Sequence, residues 1–430
     1  MQNLKPRFTQ IQMLAKTDII RNSIWLYILQ IFNSIVPLIT LPYITRILGQ
    51  KNFGIFSFSL NIIEYLIVIV EYGFNYSGTR KIALSKNTNE IKEFFITILI
   101  AKIILLVFCF ALLNLFLFFY PTDFIQRFCC YILFFSVLGT TFQQTWLFQG
   151  LQKVHYITFI SILSRTISIF LIFKYVLSEN DLLTYCLLYS ITPCLIGITG
   201  IIFSIKLLGP ISWKSNFPRI IKELKTGWYT FTTTLSSKIF STMGITILGI
   251  VSSKEQVGVY SSIYKIPSIL LLIWIPISQV LYPISSKKMK DNIKNGQQFI
   301  KNISKYIGLF LVAISLIICS FSKFIISFIF GNDYVEYSYI LILLILWLNI
   351  GIWNNFLGIQ TLLAGGFDQI YSKCFQISVV ITIILNIILI KSFNLLGAAI
   401  TPLLSESILF ILLLSAIKKI NSNKIPKGKV

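Results

Sequence analysis

Four cations, Lys102, Arg165, Lys238 and Lys265, and three acids, Glu64, Glu71 and Glu406, lie inside long apolar runs. A charge held in lipid costs about 2.5–3.5 kcal/mol on insertion scales, so those that are retained face a cavity or a partner. Cations in such a place suit an anionic ligand, above all a phosphate, which Arg grips bidentately and Lys meets as a point charge. Arg46, at the far end of the first apolar run, joins the four as a fifth cavity cation. Glu64 and Glu406 are the ion-coupling candidates, because a carboxylate in low dielectric is a natural holder of a proton or a metal cation. The competing reading pairs each with Lys102 or Lys265 across the bundle, purely to hold packing.

Polar uncharged residues thicken the pattern. Thr230, Thr232, Thr233, Thr234, Ser236, Ser237, Ser241 and Thr242 surround Lys238 and make that segment too polar to face lipid. Gln30, Asn33, Gln143, Gln144, Asn349 and Asn354 supply amides of the kind that bind sugar hydroxyls, although such groups also bond helix to helix in ordinary bundles. Catalytic patterns do not appear. His155 is the single histidine, and no nucleophile elbow, zinc-binding helix or nucleotide loop is present. The seven cysteines sit in apolar segments without ligand spacing and read as packing residues. No cofactor and no metal site is expected.

What must position these residues is a membrane bundle. Of 430 residues, 56% are hydrophobic and only 12% charged, far from the balance of a soluble domain. Apolar stretches long enough to cross a bilayer recur near 24–45, 53–73, 94–118, 128–148, 157–177, 183–205, 227–250, 258–283, 304–322, 337–359, 374–393 and 397–417. Backbone in lipid must satisfy its own hydrogen bonds, so these are helices, with Pro37, Pro42, Pro193, Pro267, Pro276 and Pro283 as kinks. The expectation is an all-α membrane protein of about twelve transmembrane helices, in two six-helix lobes around a central cavity. The lobes are 1–205 and 227–430, the second with a short basic tail, and 206–226 is a cytoplasmic linker whose Ile220, Ile221 and Leu224 suit a helix at the lipid surface.

The net charge of +22 first suggests nucleic acid, yet no basic stripe interleaves with stacking aromatics, and orientation explains the charge better. Alternate loops carry 26 Lys and Arg on the side of the two termini and seven on the other, so both termini are cytoplasmic. The basic N-terminus leads into a retained first helix with no cleavage signature. The outer loops are short, the longest being 323–336. Phe53–Ser57 and Val257–Ser261 echo one another, as do Gly150…His155 and Gly366…Tyr371, as in a duplicated transporter.

Leu41-Pro42-Tyr43-Ile44-Thr45-Arg46-Ile47-Leu48-Gly49, then Phe53-Gly54-Ile55-Phe56-Ser57 and Glu71-Tyr72-Gly73-Phe74-Asn75…Gly78-Thr79-Arg80, resemble the opening of the Wzx-type O-antigen and polysaccharide flippases. Gln149-Gly150-Leu151-Gln152-Lys153 and Ser164-Arg165 resemble the same family. The resemblance is densest over 20–175. It implies the multidrug/oligosaccharidyl-lipid/polysaccharide exporter superfamily. It also implies translocation, not catalysis, of undecaprenyl-diphosphate-linked oligosaccharide to the periplasmic leaflet of the bacterial inner membrane for O-antigen or capsule synthesis, by alternating access coupled to an ion gradient. The bilayer, a polysaccharide polymerase and a chain-length regulator are the implied partners. Two alternatives stand beside it. A multidrug exporter of the same superfamily takes cations that an excess of lumen cations repels. A polyprenyl-linked glycosyltransferase or polymerase needs outer catalytic acids or a large outer loop, and neither is present.

Overall fold

The structure is a computed structural model that describes residues 5–85, 87–210 and 217–422, with side chains from Ile24 onward except at Leu26 and Ser34. The side chains of Lys5, Arg7, Lys16 and Arg21, the linker residues 211–216 and the basic tail at 423–430 lie outside the described residues.

The described chain forms thirteen α-helices. They are α1 (Lys5–Glu71), α2 (Phe74–Leu84), α3 (Thr88–Phe119), α4 (Phe124–Phe142), α5 (Thr145–Gly150), α6 (Val154–Tyr175), α7 (Leu182–Leu208), α8 (Phe217–Val251), α9 (Lys254–Asp291), α10 (Ile293–Ser320), α11 (Ser322–Phe330), α12 (Ser338–Leu357) and α13 (Asp368–Asn421). Ten helical stretches are long and apolar enough to cross a membrane. At 1.5 Å per residue α1 runs about 100 Å, three times the hydrocarbon core, so it cannot be one crossing. It breaks at Gly49 (φ 70°), and α13 breaks at Asn394 (φ 48°). Left-handed backbone of this kind is open to Gly and tolerated by Asn. Both breaks fall where apolar run 24–45 gives way to 53–73 and 374–393 to 397–417. The prolines, by contrast, sit inside helices that continue through them.

Several connections are more helical than their composition suggests. The stretch 323–336, expected as a loop, holds most of α11 and a 3-10 turn at Asn332–Tyr337. The basic stretch 284–305 is nearly all helix, interrupted at Asn292, whose side chain caps α10 by accepting from the amides of Lys294 and Asn295. The amphipathic segment around Ile220 is the first part of α8, not a separate surface helix. Ile220 is buried, while Glu223 pairs with Lys81 and Arg219 with Glu93. The fourth apolar run stops at Phe142, and Gln143 and Gln144 separate it from the short α5.

Two compact units result, one of residues Met1–Leu48 and Phe58–Ile239, the other of Gly49–Ser57 and Phe240–Val430. In the first, Phe74, Phe95, Trp146, Leu147 and Ile220 gather α2, α3, α5 and the start of α8 into one core. Its tightest crossing is α4 on α7. A Cβ at Gly139 would lie 2.4 Å from the Pro193 carbonyl carbon and one at Gly197 would lie 2.3 Å from the Gly139 oxygen, so only glycine permits this approach. Cys129, Cys130 and Cys186 are fully buried.

In the second unit the two copies of the first echo, around Gly54 and Gly258, meet. A Cβ at Gly54 would fall 1.8 Å from the Lys254 oxygen, and one at Gly258 would fall 1.9 Å from the Gln50 oxygen. Each glycine faces the residue four places before the other, a reciprocal contact that matches the repeat. Leu362, Phe367, Leu409 and Leu413 form a core around α13. A π-helical turn at Gly358–Leu363 follows α12, and Gly358 packs on the Tyr371 ring there.

Candidate functional site

Glu64 and Lys238 of the first unit are brought together by one helix pair. Tyr72, in the left-handed region (φ 46°), ends α1 and stacks on Phe231 of α8 with ring centroids 4.6 Å apart and planes 6° from parallel. Gly73 and Gly227 allow this, since a Cβ at Gly73 would lie 2.7 Å from the Thr230 Cβ and one at Gly227 would lie 3.1 Å from the Tyr72 oxygen. From that stack the chains run antiparallel. Eight residues back along α1 is Glu64 and seven residues on along α8 is Lys238, each about two turns away. The two meet as an ion pair with Nζ 2.5 Å from Oε2.

Neither side chain is sealed in. Lys238 keeps 24% and Glu64 33% of side-chain exposure. Only 6% of the most apolar window of α8 is buried, against 44% for α3. A polar helix face bearing Thr233, Ser236, Ser237 and Ser241, all exposed, belongs against water, because charge turned to lipid is the costly alternative. Arg165 of α6 completes the set. Its Nε is buried without a hydrogen-bond partner among the described residues, and Tyr189 of α7 stands within electrostatic reach of both Arg165 and Glu64.

Lys102 has a different task. It is 3% exposed, and its ammonium donates to the carbonyls of Thr140, at 2.8 Å, and Gln143, at 3.3 Å. These belong to the end of α4, where carbonyls lack helical partners and the dipole is negative. The Gln144 amide covers a further one, at Phe142. Lys102 therefore caps a helix broken within the membrane. Glu71, within its electrostatic reach, accepts from the Asn75 amide.

In the second unit Glu406 of α13 accepts from Asn354 Nδ2 at 2.5 Å, and the same amide reaches the Glu406 carbonyl at 2.8 Å. Tyr264 and Tyr371 are within electrostatic reach. Gln360, fully buried in the π turn, donates to the Ser278 carbonyl at 2.9 Å and accepts from Ser285 Oγ at 3.1 Å, tying α9 to that turn. Lys265 is exposed and forms no ion pair among the described residues, and Arg46 is exposed.

The pairings expected from sequence thus change. Neither acid takes Lys102 or Lys265, the partners of the competing reading: Glu64 pairs with Lys238, and Glu406 accepts from the Asn354 amide. Tyr189 and the Tyr72–Phe231 stack were missed. The glycines at 73 and 227, one on each partner, were the available signal for the stack.

Comparison with known proteins adds a family. The sequence profile described as "Polysaccharide biosynthesis protein" matches residues 19–289. A protein of Escherichia coli (strain K12), assigned by name as an O-antigen transporter, is 28% identical over 94% of this chain and 97% of its own length. A protein of Haloferax volcanii, assigned by name as the low-salt glycan biosynthesis flippase Agl15, is 23% identical over 91% of this chain and 82% of its own. Among solved structures, the fold is similar to the lipid II flippase MurJ in an inward closed conformation, with a TM-score of 0.69 and 16% identity, covering 93% of this chain and 87% of that one. It is also similar to an inward-facing multidrug resistance MATE family transporter, at 0.63 and 13% identity, covering 91% and 100%.

Proposed function

The chain belongs to the polysaccharide biosynthesis protein family, and from that premise we propose that it is a flippase, a transporter and not an enzyme, for a lipid-linked oligosaccharide. The observation that carries this reading is the partly exposed Lys238–Glu64 pair on the Ser- and Thr-rich α8 of an otherwise apolar chain, with Arg165 linked to it through Tyr189. Cations so placed match a diphosphate, the charged junction between a polyprenyl tail and a sugar chain. The relatives named for O-antigen transport and glycan flipping support the same substrate class.

The finer reading is that undecaprenyl-diphosphate-linked repeat units pass from the cytoplasmic to the periplasmic leaflet of the bacterial inner membrane. Both termini are then cytoplasmic, a reading that the 26-to-7 distribution of Lys and Arg supports. Lys238 and Arg165 meet the diphosphate, and Glu64 and Glu406 remain the carboxylates through which an ion gradient acts. Arg46 and Lys265 serve as approach cations, and Lys102 is given over to the α4 cap. A polymerase and a chain-length regulator receive the product.

Deletion and complementation test this. Cells lacking the protein retain lipid-linked repeat units inside and lose surface polysaccharide. The wild-type gene and Lys238→Arg restore export, whereas Lys238→Ala and Arg165→Ala, at normal protein level, do not. Full export by both Ala variants removes these cations from the substrate path.

A further inference from the structure

Glu64 and Lys238 fill, in the same 2.5 Å contact, the roles of coupling carboxylate and substrate cation. The pair is half open, unlike Lys102, whose ammonium is enclosed by carbonyls. Charge counting gives the pair a meaning. Glu64, Lys238 and Arg165 together carry one net positive charge, whereas a diphosphate joined to lipid and sugar is doubly negative. Arg165 alone does not balance it, and Arg165 with Lys238 does once Glu64 leaves Lys238 and water solvates its partly exposed carboxylate instead. Uncompensated charge within a membrane is what the fold must avoid, so a site that alternates between loaded and empty needs an anion of its own when the substrate leaves.

We propose that Glu64 is a built-in counter-ion that occupies Lys238 when the site is empty and is displaced from it by the substrate's diphosphate. This rests on the flippase reading above and deepens it. The carboxylate sets affinity by competition, holding it low enough that the substrate can leave, and it neutralises Lys238 while the unloaded protein returns. The groups around the exchange are the Lys238 ammonium on α8, Tyr189 on α7 and Arg165 on α6. Removing the competitor strengthens binding through Lys238 and through nothing else.

Farnesyl diphosphate esterified to N-acetylglucosamine, a doubly negative diester like the substrate, serves as the probe, with its affinity for the purified full chain in lipid nanodiscs measured by titration. Lys238→Ala weakens binding. Glu64→Gln tightens it by at least about fivefold, the factor that an ordinary ion pair of about 1 kcal/mol corresponds to. In the Lys238→Ala background Glu64→Gln brings no gain, because the cation it frees is gone. Glu64→Asp keeps the charge on a stem shorter by one methylene, binds with intermediate affinity and carries the test if the Gln variant does not fold. Wild-type affinity in both Glu64 variants overturns the counter-ion while leaving the site intact, as does an equal gain with and without Lys238. If Lys238→Ala binds the probe as wild type does, the site reading fails and the counter-ion fails with it.

Discussion

Alanine at Gly54 places a methyl carbon 1.8 Å from the Lys254 carbonyl oxygen and 2.9 Å from the Gly258 amide nitrogen. Carbon and oxygen do not approach within about 3 Å without steep repulsion, so the crossing must open by about 1 Å. The obstacle is helical backbone and cannot rotate aside. Overpacking of this kind typically costs 1–3 kcal/mol, and Gly54→Ala is expected near the upper end, about 3 kcal/mol, a factor of about 150 in the folding equilibrium. Gly258→Ala meets the Gln50 oxygen at 1.9 Å and is expected to match it. The two costs do not add, because the second methyl enters a crossing that the first has already spread, and a coupling of about 0.5–3 kcal/mol is the range for residues in contact. Unfolding of the purified protein in mixed micelles, titrated with denaturing detergent, reads each variant. Gly200→Ala is the control, its nearest atom being the Phe142 oxygen at 3.5 Å, and it changes stability by no more than about 1 kcal/mol. Wild-type stability in Gly54→Ala, or strictly additive costs in the double variant, refutes the reciprocal contact.

Lys102→Met takes the ammonium donor from the Thr140 and Gln143 carbonyls and destabilises by about 1–3 kcal/mol, while folded protein keeps wild-type affinity for the diphosphate diester in the same titration. Asn354→Leu strips the Glu406 carboxylate of its hydrogen bond, with a loss of about 1.5–3 kcal/mol on detergent unfolding. Gln360→Leu unties α9 from the π turn. It costs about 1–3 kcal/mol and raises the accessibility of a cysteine introduced at Ser285 to a thiol reagent.

Length and hydropathy made the membrane class and the helical spans legible, because about twenty apolar residues per crossing is a constraint of the solvent. The break at Gly49 lies between two apolar runs and was visible as a gap, whereas α11 was read as part of a loop because polarity marks both loops and helix ends. The echo of Phe53–Ser57 in Val257–Ser261 was readable as a repeat, yet sequence alone does not say that the two copies touch. The site divides along the same line. Residue type identified Glu64, Lys238, Arg165 and Glu406, since charge in lipid is costly wherever it sits. Their partners were not legible because pairing depends on register between helices far apart in sequence, here fixed by Tyr72 on Phe231 and by two glycines. Lys102 shows the same limit, for its depth was evident but the helix end it caps exists only once α4 stops at Phe142.

Translocation of a lipid-linked oligosaccharide is read directly as transbilayer movement in liposomes. Purified protein is reconstituted into vesicles that hold undecaprenyl-diphosphate-linked oligosaccharide in both leaflets, and the inner-leaflet fraction that becomes accessible to an added glycosidase is followed in time. Wild-type vesicles should expose that fraction well above the rate of protein-free vesicles, and Lys238→Ala vesicles should fall back to it. Wild-type protein, folded and inserted, that moves the lipid no faster than empty vesicles contradicts the claim.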